Sequence, residues 1–134
     1  MFDAIGTAGT GLQAYHTWLD VVANNIANVN DTAPTNGQVF HTEYVQMSAL
    51  GTGPDGAGRG VGVTSLAHAN DGNLVQDPTS PMADKDGYVR RADVDLSQQM
   101  GDMIMAQRAF QANASMVDRA KDVYTAAINI GKGM

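Results

Sequence analysis

Residues 95–128 read DLSQQMGDMIMAQRAFQANASMVDRAKDVYTAAI, and the fold follows from how their apolar positions recur. Met103, Phe110, Val117 and Tyr124 return every seven residues, with Met100, Ala106, Ala114, Ala120, Ala127 and Ile128 on either side. Asp95 stands where a carboxylate caps a helix, and Gln98 follows three residues later where a capping box places its partner. The spacing predicts a helix that begins near Leu96 and stops at Gly131 and Gly133, about 35 residues and about 50 Å long. A compact domain needs no helix of that length. Apolar residues on more than one of its flanks call for neighbours on more than one side.

At the other end of the chain, Ile5, Ala8, Leu12, Tyr15, Leu19, Val22, Ile26 and Val29 alternate steps of three and four, the spacing of a coiled-coil seam. This predicts a helix over residues 3–28. Gly6, Gly9 and Gly11 weaken its first turns by about 1 kcal/mol each relative to alanine, so it needs a partner to persist. Asn24, Asn25, Asn28, Asn30 and Asp31 crowd its last turn, and Thr32, Pro34 and Gly37 prevent continuation. Between the helices, turn residues punctuate short runs that predict strands at Tyr44–Leu50, Val61–Leu66, Leu74–Gln76 and Tyr88–Arg90. Asn70-Asp71-Gly72 and Asp86-Gly87 fit hairpin turns. The fold class expected is α+β: long terminal helices that pair as a coiled coil, with a small Gly-rich β-domain inserted between them. The corresponding segments are 1–34, 35–94 and 95–134.

Composition narrows the function. The 134 residues make one domain, too short for a cofactor domain beside a substrate domain. A net charge of −6 without a basic stripe argues against a nucleic-acid partner. Cysteine is absent, which removes disulfides, thiolate nucleophiles and cysteine zinc sites. With 43% apolar but only 6% aromatic residues, the chain has few large side chains for a tightly specified core. No run reaches membrane-spanning length, and residues 1–58 carry no Lys or Arg to meet anionic lipids, which argues against membrane insertion or anchoring. The first cation is Arg59, so no basic segment of a secretory signal is expected.

The motifs for chemistry fail on context. Gly51-Thr52-Gly53-Pro54-Asp55-Gly56 has the letters of a dinucleotide loop, but Pro54 begins a turn where a helix would have to open. Asp84-Lys85-Asp86-Gly87 places its glycine too early for a calcium loop, and Glu43, the sole glutamate, cannot supply the last ligand. His16, His41 and His68 have no metal-ligand spacing and no neighbouring nucleophile. Catalytic, cofactor and metal sites are therefore all expected to be absent, and an assembly protein is the class that physics favours.

The segment Ala23-Asn24-Asn25-Ile26-Ala27-Asn28-Val29-Asn30 resembles the N-terminal signature of bacterial flagellar rod and hook proteins. Gln76-Asp77-Pro78-Thr79-Ser80-Pro81-Met82-Ala83-Asp84, Asp86-Gly87-Tyr88-Val89 and Ala106-Gln107-Arg108-Ala109-Phe110-Gln111-Ala112-Asn113 are similar to the short proximal rod proteins of that family. Ala92-Asp93 stands where the family usually has Pro-Asn, and Phe110 replaces a tyrosine. The resemblance implies a structural subunit of the flagellar basal-body rod, in the periplasm, exported through the flagellar type III apparatus without a cleaved signal. It implies helical polymerisation through the terminal helices, a lining for the export channel and transmission of torque. Its partners would be further copies, other proximal and distal rod proteins and a basal-body adaptor. The assembly residues expected are Leu12, Leu19, Val22, Asn24, Asn25, Ile26, Asn28, Met103, Gln107, Arg108, Phe110, Asn113, Val117 and Tyr124. Another short axial protein of the family, or a helical assembly module outside flagella, is the alternative.

Overall fold

A computed structural model describes residues 2–54, 56, 58–68 and 71–132. Helix α1 spans Phe2–Ala27 and helix α2 spans Leu96–Lys132. Between them lie strands β1 (Thr32–Ala33), β2 (Glu43–Ala49), β3 (Val61–His68), β4 (Asn73–Gln76) and β5 (Tyr88–Arg91). The cap is as read: Asp95 Oδ1 accepts from the N–H groups of Ser97 at 2.9 Å and Gln98 at 3.1 Å. Over 37 residues α2 runs about 55 Å. It passes through Gly131, which does not stop it as expected; one exposed glycine costs only about 1 kcal/mol in a helix already propagating. Gly133, the second expected stop, lies outside the described residues.

The helices pack antiparallel. Asn25 bonds to Gln99 at one end of the contact, and Gly11 faces the Asn113 side chain at the other. Fourteen residues separate the two points on each helix, in opposite chain directions. The buried row on α1 is Ala8, Gly11, Ala14, Val21, Val22 and Asn25, which keeps Ala8 and Val22 of the expected seam but not its larger residues. Close approach explains the offset: a Cβ on Gly11 would stand 3.0 Å from the Asn113 amide, leaving no room for a leucine between the axes. Leu12, Leu19 and Ile26 therefore turn onto the flank and stay half-buried. On α2 the row facing α1 is Gln99, Met103, Ala106, Phe110, Asn113 and Val117, with Gln99 and Ala106 fully enclosed.

The strands form two sheets. Antiparallel β2 and β3 make a hairpin with a register shift at Gln46 and Met47, and β1, β5 and β4 form the second sheet in that order. The expected hairpin turn at Asn70-Asp71-Gly72 does not join paired strands, since β3 and β4 belong to different sheets. Gly72 instead carries the crossover at φ +77°, against the Arg91 carbonyl and Val39, where a side chain has no space. Asn70 lies outside the described residues. Asp86-Gly87 does close the β4–β5 connection: Asp84 Oδ1 accepts from the Asp86 and Tyr88 N–H groups, each at 2.9 Å. Strand β1, two residues long, was not expected; the breakers Thr32 and Pro34 masked it, and only its pairing with Arg90 and Arg91 of β5 makes it a strand.

The hairpin lies back along α1. The Val61 N–H donates to Thr10 Oγ1 at 3.1 Å, and the Thr7 hydroxyl donates to the Gly58 carbonyl at 3.3 Å. Gly60, at φ +99°, allows this approach because a Cβ there would overlap the Thr10 hydroxyl.

Replacing Gly11 with Val should destabilise the chain by about 1–3 kcal/mol through overpacking against Asn113. Gly6→Ala and Gly9→Ala, where a Cβ meets open space, should each stabilise it by about 1 kcal/mol in urea unfolding. The N–H bonds at Asp84, led by that of Tyr88, hold its carboxyl below the ordinary value of 3.8. The turn's contribution is therefore complete above pH 3.8 and lost as pH falls through the lower folded value, and Asp84→Asn should remove that acid dependence from a pH series of melting curves.

Candidate functional site

The most enclosed polar cluster sits where α1 ends. Asn25, at 1% exposure, uses its whole amide within the chain: Nδ2 donates to the Glu43 carbonyl at 2.8 Å and to Gln99 Oε1 at 2.9 Å, while Oδ1 accepts from the Glu43 N–H at 3.0 Å. The side chain reproduces one rung of a β-ladder with the first residue of β2 and ties it to α2. Thr42 beside it donates to the Asp93 carbonyl just before α2. Asn25 is thus a keystone of the subunit itself. Asn28 behaves differently, donating to the carbonyl and Oδ1 of Asn24 at 2.9 and 3.1 Å, which finishes the helix end on the surface.

The other expected residues divide between two faces. Val22 is buried under α2, while Leu12, Leu19 and Ile26 line its open flank. Met103, Phe110, Asn113 and Val117 face α1, and Asn113 Nδ2 also donates to the Ala109 carbonyl at 3.0 Å. Gln107 and Arg108 are exposed, and among the described residues Arg108 has no hydrogen bond or ion pair. Tyr124 is 46% exposed, near where α2 outruns the start of α1.

Sequence reasoning missed three things. One is Gln99, passed over in favour of its neighbour Gln98 and enclosed between the helices. Another is the Thr7 and Thr10 tie to the hairpin, since threonines on a helix give no signal of a distant partner. The third is a second seam on α2: Met105, Ala109, Ala112, Met116, Val123, Ala127 and Ile130 recur at helical spacing on the side turned from α1. Val123 is 55% and Ile130 68% exposed, and every residue from 121 to 131 is exposed. The three-and-four spacing of these residues could have found it.

Among the described residues no group of His, Asp and Glu could hold a metal ion, and no helix is long and apolar enough to cross a membrane. Histidines pair singly with carboxylates, as His16 with Asp20 at 3.0 Å, and assemble no catalytic cluster. What the arrangement offers is exposed apolar surface along α2.

Comparisons with known proteins agree in kind. Residues 5–33 match the family described as flagella basal body rod protein, and residues 85–130 match the flagellar basal body rod FlgEFG protein C-terminal family. The chain is 31% identical to the flagellar basal-body rod protein FlgC of Borreliella burgdorferi, over 99% of both chains. It is 30% identical to that of Bacillus subtilis over 98% of both, and 30% identical to that of Salmonella typhimurium over 93% of both.

Replacing Asn25 with Ala should lower stability by about 3 kcal/mol or more, because it leaves the Glu43 backbone groups and Gln99 Oε1 without partners, at about 1–3 kcal/mol per buried group. Asn28→Ala should cost about 1 kcal/mol or less, as the loss of one exposed bond does. Urea midpoints of the two variants check the contrast.

Proposed function

The chain belongs to the FlgC family of flagellar basal-body rod proteins, and we propose that it polymerises helically there through the uncovered flanks of its two terminal helices. It is a structural subunit of the rod. The observation that carries the polymerisation is the outer seam of α2, an apolar row that no other element of the chain covers. A solvated helix does not need such a row, and burying a valine or methionine side chain contributes about 1.5–3 kcal/mol. The flank of α1 carrying Leu12, Leu19 and Ile26 is the second apolar surface with room for a neighbour.

In this reading the antiparallel pair α1–α2 acts as the coiled-coil element of segments 1–34 and 95–134, and the β segment, residues 35–94, packs outside it. The neighbours are copies of the chain and other proximal and distal rod proteins, with an adaptor at the base. Because the two flanks differ, their contacts are heterologous and extend into a helix rather than closing a pair. Stiffness of the helices would transmit torque, and their inner layer would line the export channel. Delivery to the periplasm through the flagellar type III apparatus completes the proposal.

Exchange of Val123 and Ile130 together for Asp tests it. The double variant should keep the far-UV spectrum and melting temperature of the parent, since both side chains are exposed. In cells lacking the parent chain it should fail to co-purify with basal bodies or restore swimming. Normal incorporation would remove the outer seam from the interface.

A further inference from the structure

The outer seam of α2 contains thioethers where any apolar residue would fill the space. Met105 is 57% exposed and Met116 58%, and eleven residues, three helical turns, separate them, so both side chains lie along one line of the helix. Met100, 55% exposed, stands about 140° round the helix from that line. Met103 and Met47 are half-buried, and Met82, 46% exposed, lies in the β4–β5 connection away from either helix. The subunit therefore presents both exposed and sheltered methionines, and of the exposed ones on α2, Met105 and Met116 lie on the surface assigned to contact.

We propose that Met105 and Met116 are sulfoxidation sites, open to peroxide in the free subunit, whose oxidation bars it from assembly. The inference rests on the reading of the outer seam as an interface. In the reaction the thioether sulfur attacks one oxygen of hydrogen peroxide and the O–O bond breaks. A sulfur–oxygen bond forms, and the other oxygen leaves as water after proton transfer. Sulfur loses two electrons and the peroxide gains them. The product is a polar, chiral sulfoxide in place of a flexible apolar side chain, and its oxygen has no donor in a seam of alanine, valine and isoleucine. Methionine suits the seam because its unbranched chain adapts to more than one neighbour, and the same sulfur makes the seam oxidisable.

The test has two arms on the full chain. Dilute protein treated with hydrogen peroxide is mapped by peptide mass spectrometry; Met82, Met100, Met105 and Met116 should oxidise several-fold faster than Met47 and Met103, as thioether access dictates. In cells lacking the parent chain, Met105→Gln with Met116→Gln, polar like the sulfoxide, should fold yet incorporate about tenfold less or worse, since burying one methionine side chain shifts association by roughly one to two decades. Met105→Leu with Met116→Leu, which keeps the seam apolar, should incorporate several-fold better than the glutamine pair, and Met82→Gln should incorporate normally. Equal oxidation of Met47, Met82, Met100, Met103, Met105 and Met116, or a glutamine pair that incorporates as well as the leucine pair, would overturn the proposal. If the Asp variant at Val123 and Ile130 is excluded while the glutamine pair is not, the seam stands and only the methionine inference fails; normal incorporation of that Asp variant would remove both.

Discussion

The side-chain amide of Asn25 fixes the subunit. At the last turn of α1 it grips both backbone groups of Glu43 and the side-chain Oε1 of Gln99, so one residue sets where β2 begins and how α2 lies along α1. The apolar core cannot do this alone. Among the described residues its enclosed members on the two helices are Ala8, Ala14, Val21, Val22 and Ala106, small shapes that pack nearly as well after a slip of one turn. A buried polar residue whose partners exist in one register only removes that freedom, as single asparagines do in coiled coils. The arrangement leaves Gln99 Nε2 enclosed without an acceptor, a cost of about 1–3 kcal/mol set against the bonds its other end completes.

Small residues follow from the same constraint. Ala8, Gly11, Ala14 and Ala106 let the helices approach until a Cβ on Gly11 would crowd the Asn113 amide, and the larger side chains are displaced outward. Leu12, Leu19 and Ile26 end on one flank of α1, Met105, Met116 and Val123 on a flank of α2. The close internal pair and the apolar exterior are thus one arrangement seen from two sides. Bulkier internal residues would draw apolar surface inward and leave less for a neighbour.

Much of this was legible in the residues. The sevenfold recurrence through Phe110 and Val117, the Asp95 cap and the asparagine-rich end of α1 gave both helices nearly to the residue, because cap and periodicity signals are local. The four longer strands were legible for the same reason. Strand β1 was not, since two residues carry no period and owe their state to β5. Nor was the partner of Asn70-Asp71-Gly72: turn letters give a bend but not which strands pair across it. At the site, the residue types were legible and their allegiance was not. Asn25 looks like its neighbours Asn24 and Asn28 in sequence, and only the distance to Glu43 and Gln99 separates a keystone from a helix end.

The length of α2 has a consequence of its own. With Asn25 set against Gln99 and Gly11 against Asn113, α1 has run out near residue 122 of α2, and the rest of α2 continues without it. An isolated helical end of about ten residues is below the length at which helices persist in water, and exposed Ile128 and Ile130 add apolar surface instead of relieving it. Another protein at that surface would remove both costs, and it would do so at a position the chain's own α1 cannot reach. The mismatch in helix length therefore separates the two ends: the Asn25 end holds the subunit together, and the last turns of α2 are the part that a neighbouring protein would stabilise.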